Sequence, residues 1–283
     1  LPSAVSMAFP LHYFVFAPLV LLALLAFIVP GKSPFAVLKE AFIAIRDTRG
    51  GRLAAGAFVG VFVVSLIEGH FDDALTVALG YDLTAAVLAF EGDFVLNIQN
   101  AFLAMPGGDF VIAVLALTYT AGYIAWLVLP PFALLGLNRK HAAGTYACAF
   151  AVNYVLALPF YLFAPVQEVS WSGLTKTRPL LEEHWPGITE ALRAESALDN
   201  CLPSLHVSIA VTALWFMVRY GNRRSAIVGW PLTIGVILSV LVLAIHWGVD
   251  TAAGIPFGVL CAWIAERLFP IPSCEKPGQT EAG

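Results

Sequence analysis

Two histidines and an aspartate stand at the ends of long apolar segments, where ionisable groups are uncommon. His206 closes the tetrapeptide PSLH at the start of one segment, and His246 ends another, with Asp250 four residues further on. A carboxylate four residues after a histidine shares its face if the turn is helical, and it then fixes the tautomer and raises the basicity of the ring. A second histidine opposite could protonate a leaving oxygen. These residue types predict a nucleophile with an orienting acid, together with a general acid.

The residues around PSLH also predict a site for an anion. Pro203 suits the first turn of a helix because its missing N–H loses no hydrogen bond there, and Asp199 or Asn200 could cap that turn. The free N–H groups of this turn then point outward at the positive end of the helix dipole. These groups belong to Ser204, Leu205 and His206.

Two cations in the preceding loop fit the same ligand. Lys176 and Arg178 would add full positive charges, and the guanidinium of Arg178 can bind a phosphate through two hydrogen bonds. Arg193 lies in the same loop, but no motif includes it. One histidine to attack phosphorus, one to protonate the leaving group and cations to hold the equatorial oxygens predict phosphoryl transfer. The simpler alternative is a solvated loop with ordinary surface charges.

The composition places this chemistry in a membrane. Hydrophobic residues make up 59% of the 283 residues and charged residues only 12%, whereas a soluble domain carries about a quarter. The net charge of −4 gives no support for nucleic-acid binding, which favours basic patches. We expect an all-α, polytopic membrane helix bundle. It would form a single integral-membrane catalytic domain over residues 1–269, with residues 270–283 as a short, disordered cytoplasmic tail.

Seven segments have about the 20 apolar residues that a helix needs to cross the hydrocarbon core. They are Phe9–Pro30, Leu53–Gly69, Phe110–Pro130, Ala142–Phe163, Pro203–Tyr220, Ala226–Ile245 and Thr251–Phe269. The first could instead be a signal peptide, but it is long for one and no basic segment precedes it. Two further stretches, Phe35–Asp47 and His70–Met105, are amphipathic or interrupted by acidic residues. We expect both to lie along the surface rather than span the membrane.

The basic residues predict the orientation of the bundle. With seven spans, four basic sets fall on one face, which is the cytoplasmic face by the positive-inside rule. They are Lys32 to Arg52, Arg139 with Lys140, Arg219 to Arg224, and Arg267 with Lys276. The N-terminus is then outside and the C-terminus inside. The paired histidines meet at the extracytoplasmic face, and the plasma membrane is the expected location.

PSLH, followed about forty residues later by His-x-x-x-Asp, resembles the second and third signature motifs of the type-2 phosphatidic acid phosphatase superfamily. The resemblance covers roughly residues 165–269 and implies a six-helix core, so this chain would have one extra N-terminal span. It also implies a metal-independent enzyme, without a cofactor, that forms a phosphohistidine. By the same resemblance, His246 is the nucleophile, Asp250 its orienting partner and His206 the general acid. Ser204 then joins the phosphate site.

Two positions depart from the phosphatase form of these motifs. The third motif has Ser-Arg ahead of its histidine, whereas this chain has Ser239 followed by Val240. The first motif has a lysine seven residues before Arg-Pro, whereas Trp171 stands there and the nearest lysine is Lys176. PSLH without the arginine resembles the inositol phosphorylceramide synthase and sphingomyelin synthase branch, whose members transfer a phosphorylated headgroup to a lipid alcohol. The expected substrate is a phosphorylated lipid, with water or a lipid or polyol alcohol as acceptor.

Two other function classes could use the same residues. A transporter or channel with a His/Asp proton relay would need ionisable groups through the membrane depth, but these histidines gather at one face. A metalloenzyme would use His206, His246 and Asp250 as ligands, but the cations expected beside them would repel a metal ion. The four cysteines show no zinc spacing and no disulfide framework.

Overall fold

The computed structural model describes residues 15–79, 81–186, 188 and 200–275. Within these residues the chain is helical without a strand, which confirms the all-α prediction for this part, and an isolated backbone bridge joins Val166 to Asn200. The helices are α1 (Ala17–Ile28), α2 (Pro34–Asp47), α3 (Arg49–Leu79), α4 (Thr84–Glu91), α5 (Phe94–Ala104), α6 (Gly108–Gly136), α7 (Lys140–Phe163), α8 (Leu180–His184), α9 (Leu205–Tyr220), α10 (Arg223–Val242) and α11 (Gly248–Leu268).

Among the described residues, five helices are long and apolar enough to cross a membrane, so the chain is a multi-pass membrane protein. They are Arg49–Glu68 within α3, and the whole of α6, α7, α10 and α11. These match the second, third, fourth, sixth and seventh predicted segments. The first and fifth segments correspond to the shorter apolar helices α1 and α9. Residues 9–14 of the first segment lie outside the described residues.

The stretch His70–Met105, which we predicted to lie along the surface rather than span the membrane, packs against the rest of the protein. α3 continues past its start, α4 and α5 follow, and Val95 and Gln99 of α5 are buried. Our prediction interpreted the acidic residues as marks of a solvated surface. Glu91, however, accepts a hydrogen bond of 2.9 Å from the N–H of Val249 and so stabilises the positive end of α11.

α9 and α11 lie in close contact because α11 presents glycine where they meet. A Cβ atom at Gly254 would be 2.8 Å from the carbonyl oxygen of Ser204, and one at Gly258 would come closer still to the carbonyl oxygen of Ser208. Small residues four apart are typical of membrane helices whose backbones approach each other closely. The hydroxyl of Thr212 adds a bond across the contact, donating to the carbonyl of Gly258 at 3.0 Å. The contact therefore brings the first turns of α9 and α11 together.

The chain beyond α11 returns to the N-terminus of α7. The carboxylate of Glu275 accepts hydrogen bonds from the N–H groups of His141 and Ala142, each at 3.0 Å, and the His141 ring lies 2.8 Å away. Burial raises the pKa of Glu275, but these hydrogen bonds outweigh burial and lower the pKa below its ordinary value. Residues 270–275 thus depart from the predicted disordered tail because a buried carboxylate anchors them; residues 276–283 lie outside the described residues.

The contact between α9 and α11 gives a testable prediction. Gly258→Ala places a new methyl group against the backbone carbonyl of Ser208. We therefore expect the free energy of unfolding to fall by roughly 1–3 kcal/mol, the usual scale of overpacking, together with a loss of activity. Gly60→Ala is the matched control, because a Cβ at Gly60 of α3 meets nothing within 4 Å. Thermal unfolding in detergent measures both variants. Equal unfolding temperatures for the two would contradict the importance of this contact.

Candidate active site

His206 and His246 are hydrogen-bonded to each other. Nδ1 of His206 lies 3.1 Å from Nε2 of His246, and the two ring planes cross at 62°. His246 is only 3% exposed. One ring must donate the shared proton while the other accepts it, because two fully protonated rings would repel each other. The pair can therefore move a proton between two ring nitrogens.

Asp250 lies beside the second nitrogen of His246. Its Oδ2 atom is 3.8 Å from Nδ1 of His246, and the same oxygen accepts a hydrogen bond of 3.1 Å from the N–H of Trp247. The carboxylate therefore caps the first turn of α11 and faces the histidine at once. Within the described residues, Nδ1 of His246 and Oδ1 of Asp250 have no hydrogen-bond partner and are buried. A small rotation of the imidazole would close an Nδ1–H···Oδ2 bond.

A tight turn, rather than a helix, holds His246. α10 ends at Val242, Ala244 takes the left-handed conformation with φ of 55°, and the N–H of His246 donates to the carbonyl of Val240 at 3.1 Å. His246 and Asp250 are thus neighbours across a turn and a helix start, and not along one helical face, which the spacing would give only if the turn were helical. The side chain of Val240 is fully buried and apolar, so the position where the family has an arginine supplies no cation here.

The start of α9 differs from the prediction. Ser204, not Asp199 or Asn200, is the N-cap, and its hydroxyl accepts a hydrogen bond from the N–H of Val207 at 3.4 Å. Pro203 precedes the cap and is not in the first turn. The N–H of Ser204 is not free either, because it donates to the carbonyl of Asp250 at 3.2 Å. Asp199 lies outside the described residues.

These differences have one cause: the backbone of PSLH is hydrogen-bonded to the start of α11. Ser204 therefore links the two motifs instead of facing a ligand with its N–H. Leu205 opens α9 and lines the cavity beside the histidines, as His206 does. The N–H groups of Leu205 and His206 have no acceptor within α9, because the first turn of a helix cannot supply one.

Two tyrosines that the sequence analysis did not identify hold the ring of His206. A π-helical turn, Thr118–Gly122, interrupts α6 and lies next to the site. The rings of Tyr119 and Tyr123 lie with their centroids 4.9 and 4.8 Å from that of His206, and both tyrosines are buried. Single π turns inside α-helices are frequent at functional sites. They have no sequence signature of their own, so the spacing of these tyrosines gave no signal.

The two predicted phosphate-binding cations do not line the cavity beside the histidines. Lys176 is exposed, and Arg178 is exposed and pairs with Glu183 through two contacts of 3.1 and 2.5 Å. Neither lines the cavity. The backbone around Arg178 is nevertheless held in place. Gln99 accepts from its N–H at 2.7 Å and donates both to its carbonyl at 3.0 Å and to that of Val242 at 3.1 Å. The loop is therefore attached to the end of α10, from which the turn to His246 starts.

A cavity of about 120 Å³ lies next to the histidine pair. Besides the histidines, its walls include two carboxylates, Glu68 and Glu168, and no lysine or arginine among the described residues. Glu68 lies inside the second predicted span. An acidic residue within an apolar segment was a signal that could have identified it as a site residue.

Cys201, His246 and Asp250 also form a group that could hold a metal ion. Their ligand atoms lie within 4.8 Å of one another, and all three residues are buried. Thiolate, imidazole and carboxylate are ligands that zinc accepts. The donor set therefore fits a transition metal, although spacings of up to 4.8 Å would have to contract to meet tetrahedral distances near 2.0–2.3 Å from the metal.

The fold and this site define a multi-pass helical membrane protein in which a buried histidine, His246, is hydrogen-bonded to a half-buried one, His206. A family model described as the PAP2 superfamily matches residues 85–264, more than half of the chain. The chain belongs to this superfamily, that of the type-2 phosphatidic acid phosphatases, which confirms the resemblance seen in PSLH and His-x-x-x-Asp. Membership indicates a phosphatase-type enzyme. Comparisons with curated proteins and with solved structures found no match.

The predicted role of the two cations can be tested against their positions. If Arg178 leaves Glu183 to hold the phosphate of the substrate, Arg178→Gln should lower turnover by about 10²-fold or more, the scale of losing one transition-state donor. Lys176→Gln should have a similar effect. Arg193→Gln, at a position outside the described residues, is the control and should matter much less. Steady-state rates on a lipid phosphate measure the three variants. Equal, mild effects at all three positions would show that these residues are ordinary surface charges.

Proposed function

We propose that the protein is an integral-membrane phosphohistidine enzyme acting on the phosphate of a phosphorylated lipid, either as a lipid phosphatase or as a headgroup phosphotransferase. The observation that carries this proposal is the contact of 3.1 Å between the two histidines, with the carboxylate of Asp250 at the far side of His246. Membership of the PAP2 superfamily supports the same chemistry. The residues proposed to act are His246, His206 and Asp250.

In the first step, Nε2 of His246 attacks phosphorus. The N–P bond forms while the bond from phosphorus to the leaving oxygen breaks, and His206 gives its proton to that oxygen, so the lipid alcohol leaves neutral. Asp250 holds the Nδ1–H of His246 and stabilises the positive charge that develops on the ring. Because His206 lies next to the attacking Nε2 of His246, attack on phosphorus and protonation of the leaving oxygen can occur in one bound complex.

In the second step, an acceptor oxygen attacks the phosphoryl group on His246. The new O–P bond forms, the N–P bond breaks and the proton of the acceptor passes to His206, which restores the starting state. Water as acceptor makes the enzyme a phosphatase, and an alcohol makes it a transferase. The apolar Val240 in place of an arginine supports the transferase reading, because PSLH without that arginine is similar to the inositol phosphorylceramide synthase branch.

We also propose seven spans with the N-terminus outside, and an active site at the extracytoplasmic face of the plasma membrane. The five long apolar helices and the short α1 and α9 support the count. The distribution of lysine and arginine supports the orientation. In this arrangement Asp93 between α4 and α5 is outside, and Lys140 at the start of α7 is inside.

The orientation can be tested by labelling with a membrane-impermeant thiol reagent. In a Cys274→Ser background, which removes the exposed cysteine, Asp93→Cys should be labelled from the outer side of intact cells and Lys140→Cys only after lysis. Both positions are exposed, so accessibility is matched. The reverse pattern would overturn the extracytoplasmic site.

The division of labour between the histidines can be tested with two substrates. A nitrophenyl phosphate ester has a good leaving group and needs little protonation. His206→Ala should therefore lose most activity on a lipid phosphate, on the order of 10²–10⁴-fold, and keep much more on the activated ester. His246→Ala should lose both activities because no intermediate can form. The activity of Asp250→Asn should fall on both substrates.

Three outcomes would contradict this assignment. Equal impairment of His206→Ala and His246→Ala on both substrates would remove the distinction between acid and nucleophile. A phosphoenzyme trapped by acid quench in His246→Ala would move the nucleophile elsewhere. Loss of activity on both substrates in a strong chelator, with recovery on added zinc, would favour a metalloenzyme built on Cys201, His246 and Asp250.

A further inference from the structure

Two tyrosine rings pack against the imidazole of His206, the proton donor of the proposed chemistry. The ring centroids of Tyr119 and Tyr123 lie 4.9 and 4.8 Å from that of His206, and the ring planes are tilted against it by 34° and 48°. Both tyrosines are buried, whereas His206 is half-buried. Aromatic rings at these separations attract each other beyond what the burial of their area contributes. The two rings therefore restrict how the imidazole can turn.

The orientation of this imidazole decides which of its atoms faces His246. Nδ1 of His206 is the atom that lies 3.1 Å from Nε2 of His246. Rotation of the ring by half a turn would exchange Nδ1 with the carbon atom Cδ2, which has no proton to give. A reacting group that is misplaced by 1 Å can lower a rate by about 10²-fold. Packing that keeps a single orientation of the imidazole thus contributes directly to proton transfer.

The irregular part of α6 carries both tyrosines. Tyr119 lies within the π-helical turn Thr118–Gly122, and Tyr123 directly follows it. The hydroxyl of Thr120, which is fully buried, donates to the carbonyl of Ala116 at 2.9 Å and so provides a donor to the backbone where the regular α-helical pattern is interrupted. Single π turns are rare and occur frequently at functional sites. The contact with His206 is the feature of the site that coincides with this turn.

The register between α6 and α9 keeps the tyrosines at the level of the imidazole. The indole of Trp126, which is fully buried, donates to the carbonyl of Ala210 at 3.2 Å. Trp126 lies one turn beyond Tyr123 along α6, and Ala210 lies one turn beyond the imidazole along α9. Because a hydrogen bond tolerates only a short range of distances, neither helix can slide along the other without breaking it. The ring contact is thus fixed by the packing of two helices.

We propose that Tyr119 and Tyr123 are positioning residues, whose rings keep the imidazole of His206 in the orientation that it needs to give its proton to the leaving oxygen. The inference rests on the proposed phosphoryl transfer, and it assigns the role to the aromatic rings and not to the hydroxyl groups. The tyrosines act through His206 and take no part in bond exchange. Their loss is therefore greatest on substrates whose leaving oxygen needs that proton.

The dependence of the rate on the leaving group tests this role. Aryl phosphates from 4-nitrophenyl phosphate to phenyl phosphate, together with a lipid phosphate, have leaving oxygens that need increasing protonation. Tyr119→Leu and Tyr123→Leu should lower kcat/KM on the lipid phosphate by about tenfold to 10²-fold, the upper value being that of a misplacement by 1 Å. On 4-nitrophenyl phosphate the loss should be much smaller. A plot of log kcat/KM against the pKa of the leaving alcohol should thus be steeper than for wild type, because kcat/KM reports the step that forms the phosphoenzyme.

Two controls separate the rings from the hydroxyl groups and from packing in general. Tyr119→Phe and Tyr123→Phe keep the rings and should keep the wild-type slope of this plot. Tyr146→Leu removes a buried tyrosine of α7 that packs against Phe58 and Phe216 and not against the histidine. It should lower the unfolding temperature and leave the slope unchanged. Because the slope compares substrates on the same folded protein, a smaller folded fraction does not alter it.

The outcomes separate this inference from the proposed function. The wild-type slope in both leucine variants, whether their rates fall equally on all substrates or stay unchanged, would assign the tyrosines to packing alone and overturn the inference. Phenylalanine variants with slopes as steep as those of the leucine variants would move the role to the hydroxyl groups and overturn it as well. His206→Ala with the wild-type slope would instead overturn the general acid of the proposed function, whatever the tyrosine variants show.

Discussion

The histidine pair depends on how closely α9 and α11 approach each other. His206 opens one of these helices and His246 stands just before the other, so the distance between the two helix starts decides whether the rings can meet. Gly254 and Gly258 permit the approach because a methyl group at either position would collide with the backbone of α9. The bond from Ser204 to the carbonyl of Asp250 then sets the register of the two motifs.

Several segments around this contact are hydrogen-bonded to the ends of α10 and α11. Glu91 binds the start of α11, Gln99 joins the loop at Arg178 to the end of α10, and the indole of Trp247 donates to the carbonyl of Gln167 at 2.8 Å. Each of these bonds links the motif-bearing segments to residues far away in the chain. The turn that presents His246 is thus supported from several sides, which suits a nucleophile that must keep one orientation.

The charges near the site are distributed differently from what a phosphate-binding enzyme suggests at first. Among the described residues, the cavity wall includes two carboxylates and no lysine or arginine, and Arg178 is exposed and paired to Glu183. An exposed ion pair of this kind is worth little and is easily exchanged, so it does not prevent the guanidinium from turning to an incoming phosphate. Glu68 in the cavity wall, by contrast, is buried and accepts hydrogen bonds from Tyr154 and Asn200.

The sequence by itself determined the all-α class of fold and the family, and it predicted the three residues proposed to act. Long apolar runs predict membrane helices because the hydrocarbon core demands them, and PSLH with His-x-x-x-Asp carries the family resemblance. The histidines could be predicted because ionisable groups at the ends of such runs are rare. Glu68 offered the same signal within a span, and it became interpretable only when its neighbours were known.

Only the tertiary structure decided which groups face the histidines. Glu91, in the acidic stretch between α3 and α6, looked like a surface residue, but it accepts a hydrogen bond from the N–H of Val249, which is distant in sequence. Likewise, the N-cap of α9 is Ser204, whose N–H donates to the carbonyl of Asp250, while Asn200 donates to Glu68 on another helix. Long-range hydrogen bonds of this kind have no local pattern, so they escape any reading based on spacing along the chain.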